Sequence, residues 1–71
     1  MMTVKNIMET MLDNYKKVVV TEYKNNKRTG NRWIVPPHKS YHNYIPINVI
    51  YRNVYSMVLY HDGLYLDIIE R

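Results

Sequence analysis

The stretch over residues 54–69 constrains the chain most. Two apolar runs, Val54-Tyr55-Ser56-Met57-Val58-Leu59-Tyr60 and Leu64-Tyr65-Leu66-Asp67-Ile68-Ile69, flank His61-Asp62-Gly63. Both are rich in β-branched and aromatic residues, which suit a pleated, half-buried surface. Asp-Gly is a strong two-residue hairpin signal, because such turns need positive φ and glycine takes it without strain. With Asp62-Gly63 as the loop, His61 faces Leu64, Leu59 faces Leu66 and Met57 faces Ile68. Tyr55, Met57 and Leu59 then share a face with Leu64, Leu66 and Ile68. Ser56, Val58, Tyr60, Tyr65, Asp67 and Ile69 share the other. A one-residue slip would mix these sets. A lone hairpin is marginal in water, so another part of the chain must cover the Leu/Met face.

The N-terminal segment supplies that cover. Val4, Ile7, Met8, Met11, Leu12 and Tyr15 fall on one stripe of an amphipathic helix. Thr3 is its expected N-cap. Asn6 stands where a full capping box has Glu or Gln, and Asn14 is placed to end the helix. Residues 17–24 read as a strand, with Val18, Val20 and Glu22 on one side and Val19, Thr21 and Tyr23 on the other. Residues 25–31 read as a polar loop, with Gly30 suited to a left-handed turn position. Residues 32–35 form a short strand that Pro36-Pro37 stops. Residues 17–35 are thus a second hairpin with a long basic tip. Residues 38–44 read as a loop, and residues 45–51 as a single helical turn with Pro46 in its first position. The implied architecture is α+β. An N-terminal helix packs on an antiparallel sheet of about four strands, in the order α-β-β-(short α)-β-β, as one small domain over residues 1–71.

Charge placement points to function. The formal net charge is +4, yet no acid lies between Tyr23 and His61, where Lys24, Lys27, Arg28, Arg32, Lys39 and Arg52 all fall. This asymmetry suggests an anionic partner. The candidate binding surface interleaves cations with aromatics: Lys24, Lys27, Arg28, Arg32, Trp33, His38, Lys39, Tyr41, His42 and Tyr44. Cations neutralise phosphates and rings stack on unpaired bases; Arg and Tyr also serve protein hot spots. The bland alternative makes Trp33 and Tyr44 core and leaves the cations solvated. Trp33 is expected to be partly buried, since a small core needs large side chains.

His38 and His42 are four apart, but no carboxylate or Cys accompanies them, so no metal site is expected. Ser40 has no acid nearby in sequence to orient a base. No Gly-rich phosphate loop is present. The expectation is therefore a protein that is not an enzyme and carries no cofactor. The chain has no Cys, which excludes disulfides. It lacks an apolar run long enough for a signal peptide or membrane span, so a soluble, cytoplasmic protein with no membrane partner is expected.

Thr3-Val4-Lys5, Lys17-Val18-Val19-Val20, Ile45-Pro46 and the run from Val54 through Ile69 carry a family resemblance. The chain resembles a diffuse group of small phage and prophage proteins of low-GC Gram-positive bacteria, some of which inhibit host defence systems such as CRISPR–Cas. The resemblance implies a binding protein that inhibits or modulates a host protein or nucleoprotein, such as a bacterial defence (CRISPR–Cas) nuclease. The alternatives are a module acting directly on DNA or RNA, and capture of a small anionic nucleotide. Residues 25–44 depart from the pattern by being longer and more basic, which places the site there. A homodimer is also expected, through the face bearing Val58, Tyr60, Tyr65 and Ile69, unless residues 36–44 fold over it.

Overall fold

A computed structural model describes residues 2–11 and 15–69. The elements are α1 (Val4–Thr10), β1 (Lys17–Lys24), β2 (Lys27–Val35), a 3-10 turn at Tyr41–Asn43, α2 (Ile47–Ile50), β3 (Val54–Tyr60) and β4 (Gly63–Ile69). The α+β class and the element order are those expected. The sheet is mixed, however, where an antiparallel one was expected. Its order is β2-β1-β4-β3, with β1 and β4 running parallel at the centre. The cause is burial. Val18, Val19, Val20, Leu66 and Ile68 are fully enclosed, and strands this apolar belong inside a sheet. The chain from β2 to β3 therefore crosses one face, along the 3-10 turn and α2, so that β4 can lie beside β1.

That crossing, together with α1, builds the core. Val4, Ile7, Met8, Tyr41, Ile45, Val49 and Ile50 pack on Val18, Val20, Val35, Leu66 and Ile68. The segment over residues 36–44 thus packs on the helix side and does not cover the other face. Thr3 caps α1 as expected. Asn6 completes the box, its Oδ1 accepting from the Thr3 N–H at 3.0 Å while Thr3 Oγ1 accepts from the Asn6 N–H at 3.1 Å. The helix is shorter than its stripe. It stops at Thr10, whose hydroxyl donates back to the Ile7 carbonyl at 2.7 Å, and Met11 is extended. Such local bonds compete with helix continuation. Tyr15 lies outside the helix, 77% exposed; Leu12 and Asn14 lie outside the described residues. Pro46 is the N-cap of α2, one position before its expected place.

Both hairpins turn differently from expectation. In β3–β4 the loop is His61-Asp62, and Tyr60 pairs with Gly63, Leu59 with Leu64 and Met57 with Leu66. This register differs by two residues, so the face assignments survive. Tyr55 is the exception: a bulge sets Val54 opposite Ile68 and brings Tyr55 against Tyr23. Gly63 has no positive φ. It is required because a Cβ there would lie 2.8 Å from the Lys17 carbonyl oxygen. In β1–β2, Asn25 and Asn26 take φ of 52° and 65° and make a two-residue turn, which Asn tolerates better than most residues. The expected loop over residues 27–31 is therefore strand.

β3 is an edge strand, and this corrects the expectation that Leu59 is buried. It is 70% exposed, whereas Leu66 is fully enclosed. Leu66→Ala should cost about 2–5 kcal/mol, the usual range for a buried leucine. Leu59→Ala should cost under about 0.5 kcal/mol, as surface changes do. Urea unfolding of the two variants measures the difference; equal losses would contradict this register.

Candidate binding face

Glu22 positions the site. Alternation points it to the helix side of β1, where it is buried. Its Oε1 accepts from Thr29 Oγ1 at 2.7 Å and from Asn31 Nδ2 at 2.8 Å, and its Oε2 accepts from the Arg52 guanidinium. Thr29 and Asn31 belong to a bulge: β2 uses Thr29-Gly30-Asn31 to pass the single residue Glu22, and Gly30 takes φ of 97°. The hydrogen bond from Arg52, then those from Asn31 and Thr29, hold the Glu22 carboxyl at about 2. The bulge brings Arg28 opposite Tyr23, and Arg28 Nε donates to the Tyr23 hydroxyl at 3.5 Å.

Tyr23 and Arg28 lie on the sheet face that carries no helix among the described residues. The strand pairing adds Thr21 and Arg32 beside them, then Tyr65 and Asp67 of β4, then Val58 and Tyr60 of β3. Tyrosines dominate this face. Tyr23 and Tyr55 meet edge-to-face at 6.3 Å, and Tyr60 and Tyr65 at 5.0 Å. Between the pairs lies a shallow basin of about 400 Å³, lined by Tyr23, Arg28, Val58, Tyr60, Tyr65 and Asp67 among others. Lys17 stands at its rim, 6.0 Å from the Tyr65 ring centroid and 3.6 Å from Asp62 Oδ2. The Tyr65 hydroxyl donates to Asp62 at 3.1 Å and lowers that carboxyl's pKa. Asp67 is raised instead, because burial among the rings outweighs the charge of Arg28. Desolvation likewise raises the Tyr55 phenol.

The ten residues singled out from sequence do not form one surface. Arg28 and Arg32 reach the open face, while Lys24 and Lys27 flank the turn at the hairpin's end. Trp33 pairs with Val20 and packs half-buried against the core on the helix side. Strand alternation forces that split between neighbours Arg32 and Trp33. Tyr41 is a core residue, which removes it from the site. His42 lies against its ring at 4.2 Å. His38, Lys39, His42 and Tyr44 are exposed on the connection after β2. Tyr23, Tyr55, Tyr60 and Tyr65 were missed as site residues. Their alternation with apolar positions is visible in sequence, but only the parallel β1–β4 pairing sets Tyr23 and Tyr65 on adjacent strands.

Among the described residues no group of three or more His, Cys, Asp or Glu is placed to hold a metal. No helix there is long and apolar enough to cross a membrane. No family model, curated protein or solved structure matches the chain. The resemblance to small phage proteins therefore rests on the sequence pattern alone.

The Glu22 carboxyl yields a pH prediction. Its folded pKa, about 2, lies below the ordinary 4.5. Its stabilisation is thus complete above pH 4.5 and lost as pH falls towards 2. At roughly 1.4 kcal/mol per pKa unit, the loss is on the order of 3 kcal/mol. Asp67, shifted upwards, acts in the opposite sense and offsets part of it. Glu22→Gln should flatten this acid limb and cost about 3 kcal/mol at pH 7, since it leaves the Arg52 charge without its counter-ion. Urea midpoints from pH 2 to 7 report both; an acid limb unchanged in the variant would contradict the assignment.

Proposed function

We propose that this chain acts by binding, and that its open sheet face grips single-stranded nucleic acid, either alone or carried in a host nucleoprotein. The observation that supports this is the placement of Tyr23, Tyr55, Tyr60 and Tyr65 with Arg28, Arg32 and Lys17 on a face without a covering layer. Tyr23, Tyr65 and Tyr60 occupy three successive strands, with Tyr23 level with Ile69 and four residues along β4 from Tyr65. A strand of nucleic acid running diagonally over the sheet meets the Tyr60–Tyr65 pair at one end and the Tyr23–Tyr55 pair at the other. Base–aromatic stacking contributes about 1–3 kcal/mol per base and tolerates any sequence. Arg28, Arg32 and Lys17 neutralise phosphates at the margins, and Lys24 and Lys27 extend the positive potential along the hairpin. A role in modulating a bacterial defence nucleoprotein is the setting that the phage resemblance adds.

A protein partner is the second reading, favoured by Asp67. A carboxylate in the middle of the face repels phosphate, whereas a partner's Lys or Arg would pair with it. Salt dependence separates the readings. Binding of a labelled unstructured oligonucleotide should weaken with salt at a log–log slope near −2, for about three phosphates at roughly 0.7 each. Arg28→Glu with Arg32→Glu should flatten that slope by more than half. Tyr60→Ala should weaken binding about fivefold or more, as loss of one stacked base implies. Asp67→Asn should strengthen it. No binding of DNA or RNA oligonucleotides at 50 mM salt, with one host protein retained in a pulldown, would move the assignment to the second reading.

A further inference from the structure

The two edges of the sheet are built unlike each other. Exposed strand edges invite pairing with another chain, and proteins blunt them with charge, bulges or proline. The β2 edge has all three. Lys27, Arg28 and Arg32 lie along it, the Thr29–Asn31 bulge interrupts it, and Pro36-Pro37 follows it. The β3 edge has a bulge only at its start and no charged residue or proline from Val54 to Tyr60. Its first residue is covered: the Val54 N–H donates to the Met2 carbonyl at 2.9 Å, and Thr3 bridges Asn53. From Tyr55 to Tyr60, no described strand pairs with its outer side. Side chains are exposed there on both faces. Met57 and Leu59 are 57% and 70% exposed towards the helix side, and Val58 and Tyr60 are 42% and 53% exposed towards the open side.

We infer that β3 is a self-association edge, which pairs antiparallel with β3 of a second copy about a two-fold axis and makes one continuous eight-stranded sheet. A second copy is the occupant that the charge layout favours. The protein carries a net +4, and its open-face cations sit on β1 and β2, so β3-to-β3 pairing holds the two positive edges as far apart as the sheet allows. Any partner with a strand of opposite charge would gain nothing from a neutral edge. The two-fold operation is isologous, so the Met57 and Leu59 side chains of one copy meet their counterparts on the helix side. There they close the apolar groove of about 580 Å³ between α1 and β3, lined by Met2, Ile7, Met11, Met57, Leu59 and Leu64 among others. Val58 and Tyr60 meet their counterparts on the open side. Pairing at the edge is an alternative to the face-to-face dimer expected from the sequence. It leaves Tyr23, Tyr65 and the arginines uncovered and joins two binding faces into one platform.

Sedimentation velocity at about 50 μM tests this. The wild-type chain should sediment at twice its 8.6 kDa mass. Leu59→Lys with Met57→Lys, both exposed in the single chain, should give a folded protomer of one chain mass, with far-UV circular dichroism retained. Ile69→Lys, exposed on the open face and outside β3, should remain dimeric. A wild-type chain that stays at one chain mass would overturn the inference. So would dissociation by Ile69→Lys with the β3 variant still dimeric, because pairing would then run through the open face. Both readouts are independent of nucleic-acid binding.

Discussion

Glu22 places a carboxylate on the buried side of β1, where every other helix-side residue of the strand's apolar part is valine. Burying a charge is costly unless it is paired and hydrogen-bonded. Here three donors from distant parts of the chain converge on it. Arg52 reaches it from the end of α2, and its guanidinium also donates to the Ile69 carbonyl at the end of β4. The Arg52 carbonyl in turn accepts from the Val4 N–H at 3.0 Å, at the start of α1. The Glu22–Arg52 pair and the hydrogen bonds around it therefore tie together β1, the β2 bulge, the end of α2, the end of β4 and the start of α1. In so small a domain the hydrophobic core alone supplies limited stability. The network adds a specification that valines lack, because this register brings Thr29, Asn31 and Arg52 together on the Glu22 carboxylate.

The consequences reach the candidate binding face. With the bulge fixed, Arg28 stands opposite Tyr23. Without it, continuation of the Thr21–Arg32 register would put Gly30 there. The helices, the 3-10 turn and Arg52 all occupy the other side of the sheet, so the tyrosine side is left without a layer. A sheet with one covered and one open face normally makes the open face polar. Here it is aromatic and cationic, with Asp67 partly buried among the tyrosines and Asp62 at the margin of the basin. That composition suits a partner with flat rings and negative charge. The inert β2 edge and the neutral β3 edge extend the same economy, one edge presenting charge outward and the other presenting strand.

Much of the fold was legible because it rests on local rules. The alternation over residues 17–24 and 54–69 marks strands, the Thr3 cap marks a helix start, and Pro36-Pro37 marks a strand end. The parallel β1–β4 pairing was not legible, because hairpins announce themselves locally and crossovers do not. Asp62-Gly63 misled because Gly63 serves close approach to Lys17 rather than a positive φ. Arg52 was grouped with the other cations, although it is the one that turns inward. Glu22 did carry a signal: a lone charge on an apolar strand face demands a buried partner. The candidate site was half legible. Arg28 and Arg32 follow from the cationic stretch, but Tyr23, Tyr55, Tyr60 and Tyr65 join them only once strand order is known, and Tyr41 looked like a ligand-facing ring until the core claimed it.

The central claim is that the uncovered tyrosine face is where this protein meets its partner. Tyrosine-ring NMR signals of a specifically labelled chain, followed during titration with a short unstructured DNA or RNA strand, test it most directly. The account predicts progressive shifts at Tyr23, Tyr55, Tyr60 and Tyr65, with Tyr41 in the core unmoved. Shifts confined to Tyr15, Tyr44 and the connection after β2, with the four face tyrosines unchanged, would contradict it.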